Sequence, residues 1–238
     1  MHFRIDPAIT AKYPHLLVGL LICRGVDNTK SSPEIGALLR SAEAKIRAQY
    51  SDPEALKSHP TIAAWQEVHR SFESNPNKFP SSVHALCKRV AKGGELPSIN
   101  PLVDLYNVIS LTYVLPVGGE DLEKCTGDIH LTIAEGTESF IPLGGTENEP
   151  PDPGEVLYRD DAGVLCRKFN WREAARTCLT EKTRNAVLLI EAVPPTTRTE
   201  LDAALAQLKE LISRFCGGTV ETTILDGDHP SQLLDPSR

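Results

Sequence analysis

The chain has 238 residues, of which 40% are hydrophobic and 24% charged, and this length can bury the core of one large globular domain. Aromatic residues make up only 5% and the net charge is −7, which argues against a stacking platform for single-stranded nucleic acid and against general affinity for DNA. No apolar run approaches the ~20 residues that cross a bilayer, and the N-terminus lacks the basic-then-apolar order of a secretory signal, so we expect a cytoplasmic protein with no membrane partner.

The N-terminal half is predicted to hold one strand followed by helices. Residues 16–26 form an apolar, partly β-branched run that is typical of a buried strand. Apolar residues then recur at helical spacing over residues 32–46, 62–72 and 81–92. A fourth helix is predicted to begin with Asn100 as its N-cap, because Pro101 suits the first helical position, and to end near residue 112.

After Pro116 the pattern favours β-structure, with one long helix before the last strand. The strands are predicted over residues 128–133, 156–159, 164–167, 187–192 and 219–225, and the helix over residues 201–215. The stretch 142–155 reads as a surface loop. We therefore predict a mixed α/β (α+β) fold with a mixed β-sheet flanked by helices, in a single domain over residues 1–225 and a flexible tail over residues 226–238.

Familiar catalytic motifs are absent from the sequence. It has no Gly-x-Gly-x-x-Gly after a strand, no phosphate-binding loop, no His-Glu-x-x-His and no Gly-x-Ser-x-Gly. The six cysteines have no paired spacing and are expected to be reduced thiols, and a structural zinc site has little support. If the protein is an enzyme, we expect it to work without a covalent nucleophile, metal or organic cofactor.

Two basic segments interrupt this acidic chain. Residues 78–92 contain Lys78, Lys88, Arg89 and Lys92 and no acidic residue, and residues 159–184 contain seven basic and four acidic residues. Such patches either dock a polyanion locally or simply coat exposed helices.

One segment resembles a known family. Leu96–Leu111, LPSINPLVDLYNVISL, resembles the signature helix of the editing domain in the β subunit of bacterial phenylalanyl-tRNA synthetase, the B3/B4 domain. Gly154–Val193 resembles the second half of the freestanding form, and the similarity extends over about residues 10 to 225. The synthetase domain hydrolyses tyrosine from phenylalanine tRNA, and one freestanding relative clears canavanine from arginine tRNA.

The resemblance implies a B3/B4-like fold and an aminoacyl-tRNA deacylase that needs no cofactor. Its partner would be a mischarged aminoacyl-tRNA, and a monomer is the default expectation. Two alternatives stay open: a non-catalytic module that binds tRNA or a synthetase, and a hydrolase of some other small ester or amide.

The resemblance also implies site residues. Asn107 matches the Asn beside the attacking water, Tyr106 falls where the synthetase has a pocket Thr, and Glu191 matches the Glu that reads the wrong side chain. Asp104 either contacts substrate or orders the helix and the preceding loop. Lys88, Arg89 and Lys92 are expected to track tRNA phosphates.

This chain departs from the synthetase after the signature helix. The synthetase has a His there, whereas this chain has Gly118-Gly119, which puts tyrosine specificity in doubt. The two glycines either bring backbone N–H groups close to the ester or form a tight turn. Trp171 and Arg172 either pack beside the terminal adenosine or the amino-acid side chain of the substrate, or have structural roles. In the second case Trp171 is a core residue and Arg172 forms a surface ion pair.

Overall fold

The structure is a computed structural model that describes residues 1–29, 31–50, 52 and 54–234. The helices are α1 (Pro7–Lys12), α2 (Pro33–Gln49), α3 (Pro60–Arg70), α4 (Ser82–Ala91), α5 (Pro101–Tyr113) and α6 (Arg198–Phe215), with a 3-10 turn at Ala55–Ser58. The strands are β1 (His2–Ile5), β2 (Leu17–Arg24), β3 (Val117–Asp121), β4 (Ile129–Ile133), β5 (Val156–Asp160), β6 (Gly163–Arg167), β7 (Arg172–Glu173), β8 (Ala186–Ala192), β9 (Thr219–Leu225) and β10 (Ser231–Leu233).

The strands form two sheets. One has the order β10-β1-β4-β5-β6-β7 and is mixed, because β1 and β4 are parallel while the other neighbours are antiparallel. The other has the order β3-β8-β2-β9 and is antiparallel. The predicted mixed α/β class is confirmed, with two sheets where the sequence predicted one.

The antiparallel sheet is the middle layer of the molecule. Leu21 of β2 and Leu188 of β8 pack against the helices in one core, whereas Leu20 and Leu189 pack against the mixed sheet in a second core. An antiparallel sheet covered on both faces needs apolar residues at successive positions. This explains the unbroken apolar runs that predicted both strands.

Local capping sets where the helices begin. The side chains of Ser32 and Asn100 each accept a hydrogen bond from the backbone N–H three residues later, as their N-cap role requires. Helix α6 begins earlier than predicted, because Thr197 and Glu200 form a capping box. Helix α5 is buried on nearly every side. Its caps, rather than an amphipathic pattern, therefore revealed it in the sequence.

Several short elements differ from the prediction. Gly118 and Gly119 lie inside β3, so the tight-turn reading of these glycines is wrong. Residues 231–233 pair with β1, where a flexible tail was predicted, and residues 235–238 of that tail lie outside the described residues. Residues 142–155 contain no named helix or strand, as predicted. No helix in the described ranges combines the length and apolar character that crossing a membrane requires.

Candidate active site

A cavity of about 410 Å3 lies between helices α4 and α5 on one side and the ends of both sheets on the other. Its volume falls within the range of about 300–1,000 Å3 that is usual for ligand pockets. Residues predicted for the site line it from separate elements: Tyr106, Asn107, Gly118, Glu191, Trp171, Arg172 and Arg89. Four other predicted residues lie outside the lining: Asp104, Gly119, Lys88 and Lys92.

Helix α5 brings Tyr106 and Asn107 to the cavity wall, one turn after Val103, which lines the same wall. Asn107 is 6% exposed, and no side chain in the described ranges hydrogen-bonds to its amide. Its donor and acceptor are therefore available to water or to a ligand. Burial, followed by the nearby carboxyl groups of Glu173 and Glu120, raises the pKa of Tyr106, so its hydroxyl stays protonated at neutral pH.

Glu191 enters the cavity from β8 and is held on both carboxylate oxygens. The Tyr158 hydroxyl donates to Oε1 at 2.7 Å, and Asn170 Nδ2 donates to Oε2 at 3.1 Å. Burial raises the pKa of Glu191 to about 7, and the two donors limit that rise. Glu191 is therefore a buried carboxyl group that changes charge near neutral pH.

Two further carboxyl groups accompany Glu191, and sequence reasoning assigned a role to neither. Glu173 of β7 lines the cavity, and Glu120 of β3 is buried close to it. Burial raises the pKa of both carboxyl groups, and the nearby Glu173 raises that of Glu120 further, which lets the two groups share one proton. The sequence signal that existed was weak: Glu120 alternates with Gly118 along one strand and therefore shares its face.

The two glycines of β3 have different surroundings. A Cβ on Gly118 would lie 2.9 Å from Glu173 Oε1, whereas one on Gly119 would lie 2.4 Å from Leu188 Cδ2, away from the cavity. The Glu191 N–H donates to Pro116 O at 3.2 Å, and antiparallel pairs alternate, so Gly118 and Leu189 form the next hydrogen-bonded pair. The Gly118 amide is thereby used within the sheet. The expectation that this amide faces an ester is therefore not met.

Asp104 lies behind the cavity wall and holds the loop before α5. Its carboxylate accepts hydrogen bonds from the Ser31 hydroxyl, from the Ser98 hydroxyl at 2.6 Å and from the Ile99 N–H at 2.8 Å. These contacts correspond to the ordering role considered for Asp104, and its place outside the lining does not favour substrate contact.

Comparison with known proteins gives the family. Residues 64–217 match the family model of the B3/4 domain, which is more than half of the chain. The chain belongs to the B3/4 domain family. The predicted resemblance is thereby confirmed, over a shorter range than residues 10–225.

Individual relatives of this B3/4 protein match less of it. A stretch of 68 residues is 37% identical to the phenylalanine–tRNA ligase beta subunit of Shewanella oneidensis, and it covers 29% of this chain and 8% of that protein. An N-terminal fragment of the phenylalanyl-tRNA synthetase beta subunit from Pyrococcus horikoshii superposes with a TM-score of 0.48 and 13% identity, over 92% of this chain and 49% of the fragment. The chain thus spans about half of that fragment.

The mouth of the B3/4 cavity carries aromatic and basic side chains. Trp171 is half-buried and packs edge-on against Phe79 with ring centroids 4.7 Å apart, while the Arg172 guanidinium lies 5.9 Å from the Trp171 ring. Arg172 is exposed and donates to the Leu143 carbonyl at 3.3 Å. Trp171 is therefore a residue of the cavity mouth and not of the core.

Helix α4 divides the predicted tRNA-binding residues between two faces. Arg89 lines the cavity and its Nε donates to the Glu95 carbonyl at 3.0 Å. Lys88 and Lys92 are one turn apart on another face, where they help Lys57 to lower the pKa of Glu54. Only Arg89 of the three lies beside the cavity.

Proposed function

We propose that this B3/4 protein is a hydrolase that deacylates mischarged aminoacyl-tRNA. The observation that carries the proposal is the cavity beside Asn107, which is large enough for an aminoacyl group and is lined by Tyr106, Asn107 and Glu191. Family membership supports a tRNA-related role, since the named relatives are tRNA synthetase subunits. We also propose that the protein is cytoplasmic and monomeric.

The proposed reaction is attack of water on the aminoacyl ester. The Asn107 amide orients the water, the water oxygen adds to the ester carbonyl carbon, and the bond from that carbon to the ribose oxygen breaks. The neighbouring ribose hydroxyl relays the proton that the water loses to the ribose oxygen, which leaves as a hydroxyl group. Because an aminoacyl ester is already reactive, positioning of the water supplies most of the acceleration.

The carboxyl groups favour a substrate with a cationic side chain. Glu191 and Glu173 line the cavity with Glu120 behind them, and no Lys or Arg nitrogen in the described ranges forms an ion pair with any of the three. Buried charges without a partner are costly, and a guanidinium with several donors would relieve that cost. We therefore favour an arginine-like residue such as canavanine on arginine tRNA over tyrosine on phenylalanine tRNA.

The mouth of the cavity suits the tRNA end. Trp171 offers a ring on which the terminal adenine stacks, and Arg89 and Arg172 are placed to meet the phosphates next to it. A few basic residues at the mouth of an acidic protein favour local docking and ready release.

The test is release of labelled amino acid from a panel of tRNAs mischarged with arginine, canavanine, tyrosine or phenylalanine. We expect turnover with a cationic side chain and a loss of about a hundredfold or more in Asn107→Ala. Binding of the same tRNAs without turnover in either protein would instead identify a non-catalytic module. Turnover that survives Asn107→Ala unchanged would remove Asn107 from the mechanism.

A further inference from the structure

Asn170 lies in a backbone turn that the rest of the chain holds firmly. The two residues before it, Lys168 and Phe169, have φ angles of +48° and +65°, in the left-handed region that residues other than glycine seldom adopt. Lys168 Nζ is buried against Asp152 at 2.7 Å and Glu155 at 2.8 Å. This turn aims the Asn170 side chain back into the protein, towards the cavity that it lines.

Asn170 joins three elements through hydrogen bonds. Its backbone carbonyl accepts from the Ser82 N–H of α4 at 2.8 Å. Its side-chain Oδ1 lies 3.3 Å from His69 Nε2 of α3, and its Nδ2 donates to Glu191 Oε2 of β8 at 3.1 Å. A continuous chain of bonds therefore runs from His69 through Asn170 to Glu191.

The direction of this chain follows from the chemistry of its ends. Burial lowers the pKa of His69 to about 4, so the ring is neutral at pH 7 and carries one N–H. A carboxylate only accepts, so Asn170 turns its NH2 group to Glu191 and its oxygen to His69, and the ring hydrogen is on Nε2. The Nε2–H of His69, which is fully buried, thereby supports the Asn170 amide orientation that the Glu191 carboxylate sets.

We propose that His69 and Asn170 are positioning residues, which hold the Glu191 carboxylate ionised and directed at the cavity. Neither residue belongs to a motif that the sequence singled out for chemistry. The effect of this positioning on substrate choice rests on the proposed function. The hydrogen bonds from His69 through Asn170 to Glu191 are present in the protein without substrate.

Glu191 has few other neighbours that affect its charge. Tyr158 of β5 donates to it, and the Glu173 carboxyl of β7 opposes its ionisation. The Cys166 thiol of β6 lies close enough to feel its charge. Among these groups, Tyr158 and Asn170 alone donate hydrogen bonds to Glu191, so removing the Asn170 donor should shift its titration clearly.

The test is titration of Glu191 by NMR in protein labelled with 13C at glutamate carboxyl carbons, with Glu191→Gln to assign the signal. We expect a midpoint near 7 in the wild type. Asn170→Leu, which removes the donor without adding a charge, should raise the midpoint by about one pH unit or more. His69→Leu should raise it less, and His69→Gln, which keeps an N–H donor, should restore it.

His84→Leu is the matched control. His84 is also a buried helix histidine, but within the described ranges neither ring nitrogen has a hydrogen-bond partner. Its replacement should leave the Glu191 midpoint unchanged. A folded Asn170→Leu protein with the wild-type midpoint would overturn the proposal. If that variant does not fold, equal midpoints in His69→Leu and His69→Gln would overturn it instead.

A second readout concerns substrate choice. The ratio of deacylation rates for arginine and its neutral isostere citrulline, each on the same non-cognate tRNA, should fall on the order of tenfold in Asn170→Leu. A purely structural defect would lower both rates and leave the ratio unchanged. If neither ester is hydrolysed by the wild type, the proposed function fails while the NMR titration still decides the positioning role.

Discussion

Gly118 leaves the space into which the Glu173 carboxylate fits: a Cβ at residue 118 would lie 2.9 Å from Glu173 Oε1. Its missing side chain admits an acidic group to the wall of the cavity, beside Glu191.

Gly118→Ala should impair the site without unfolding the protein. The crowded atom is the end of a flexible side chain, so Glu173 can shift at little cost in stability, but it leaves its place in the cavity. We expect turnover of the cationic substrate to fall about tenfold or more, with a nearly unchanged melting temperature.

Two glycines serve as comparisons. Gly36→Ala, where the new Cβ meets no atom within 4 Å, should leave turnover unchanged. Gly119→Ala should destabilise the protein by about 1–3 kcal/mol, because its Cβ would meet Leu188 Cδ2 at 2.4 Å and the Val187 carbonyl at 3.0 Å. Wild-type turnover in Gly118→Ala would exclude Glu173 from the site.

The preference for a cationic side chain should depend on pH. The pKa of Glu191 is about 7, and only its ionised form attracts a guanidinium. The ratio of kcat/KM for arginine to that for citrulline should therefore rise as pH increases from 6 to 8. Taking the ratio cancels the general increase of ester hydrolysis with pH. Glu191→Gln should give a lower ratio that depends less on pH, because Glu173 also lines the cavity and its pKa is raised to about 7.

The raised pKa of Glu191 should also make the folded protein less stable as pH increases. The folded pKa of about 7 lies above the ~4.3 of an unfolded glutamate, so this group's stabilising contribution is present below ~4.3 and lost as pH rises through 7. The free energy of unfolding of Glu191→Gln, taken relative to that of the wild type, should increase by about 1–3 kcal/mol between pH 5 and pH 8. Urea unfolding at both pH values measures this change in the free energy of unfolding. Glu67→Gln, which removes an exposed carboxyl group, should show no such increase.

The basic residues at the mouth should contribute to tRNA affinity through charge. Arg89→Ala and Arg172→Ala should each weaken binding and reduce the slope of log K against log salt by about 0.7. Lys92→Ala is the control, because it lies on the other face of α4 and outside the cavity lining. Equal effects of all three changes would mean that tRNA follows the whole helix rather than the cavity mouth.

The ribose hydroxyl next to the ester should take part in the reaction. A tRNA that ends in 2′-deoxyadenosine, aminoacylated on its 3′ oxygen, should be deacylated on the order of a hundredfold more slowly. Its binding to Asn107→Ala, measured without turnover, should match that of the ordinary tRNA. An unchanged rate would assign the proton transfer to the protein.

Local sequence was sufficient to predict the helices and strands that have a capping residue or a continuous apolar run. Asn100 and Pro101 predicted the start of α5, and continuous apolar runs predicted β2 and β8. The family resemblance rests on Leu96–Leu111 and Gly154–Val193, and it predicted residues such as Asn107 and Glu191 that the structure brings to one cavity. Tyr106 and Asn107 are consecutive in the helix and point in different directions, so their joint place in the cavity lining depends on the elements packed around α5.

The remaining features were decided by contacts between distant parts of the chain. Glu120 and Glu173 meet because β3 and β7 lie at the edges of different sheets that face each other, and neither residue has a local pattern that marks it. His69 reaches Glu191 only through Asn170. The strands β1, β7 and β10 have two to four residues, too few for a periodicity, and they form because a partner strand supplies the hydrogen bonds. Sequence spacing sets secondary structure and its caps, whereas the pKa of a buried carboxyl group depends on what packing places around it.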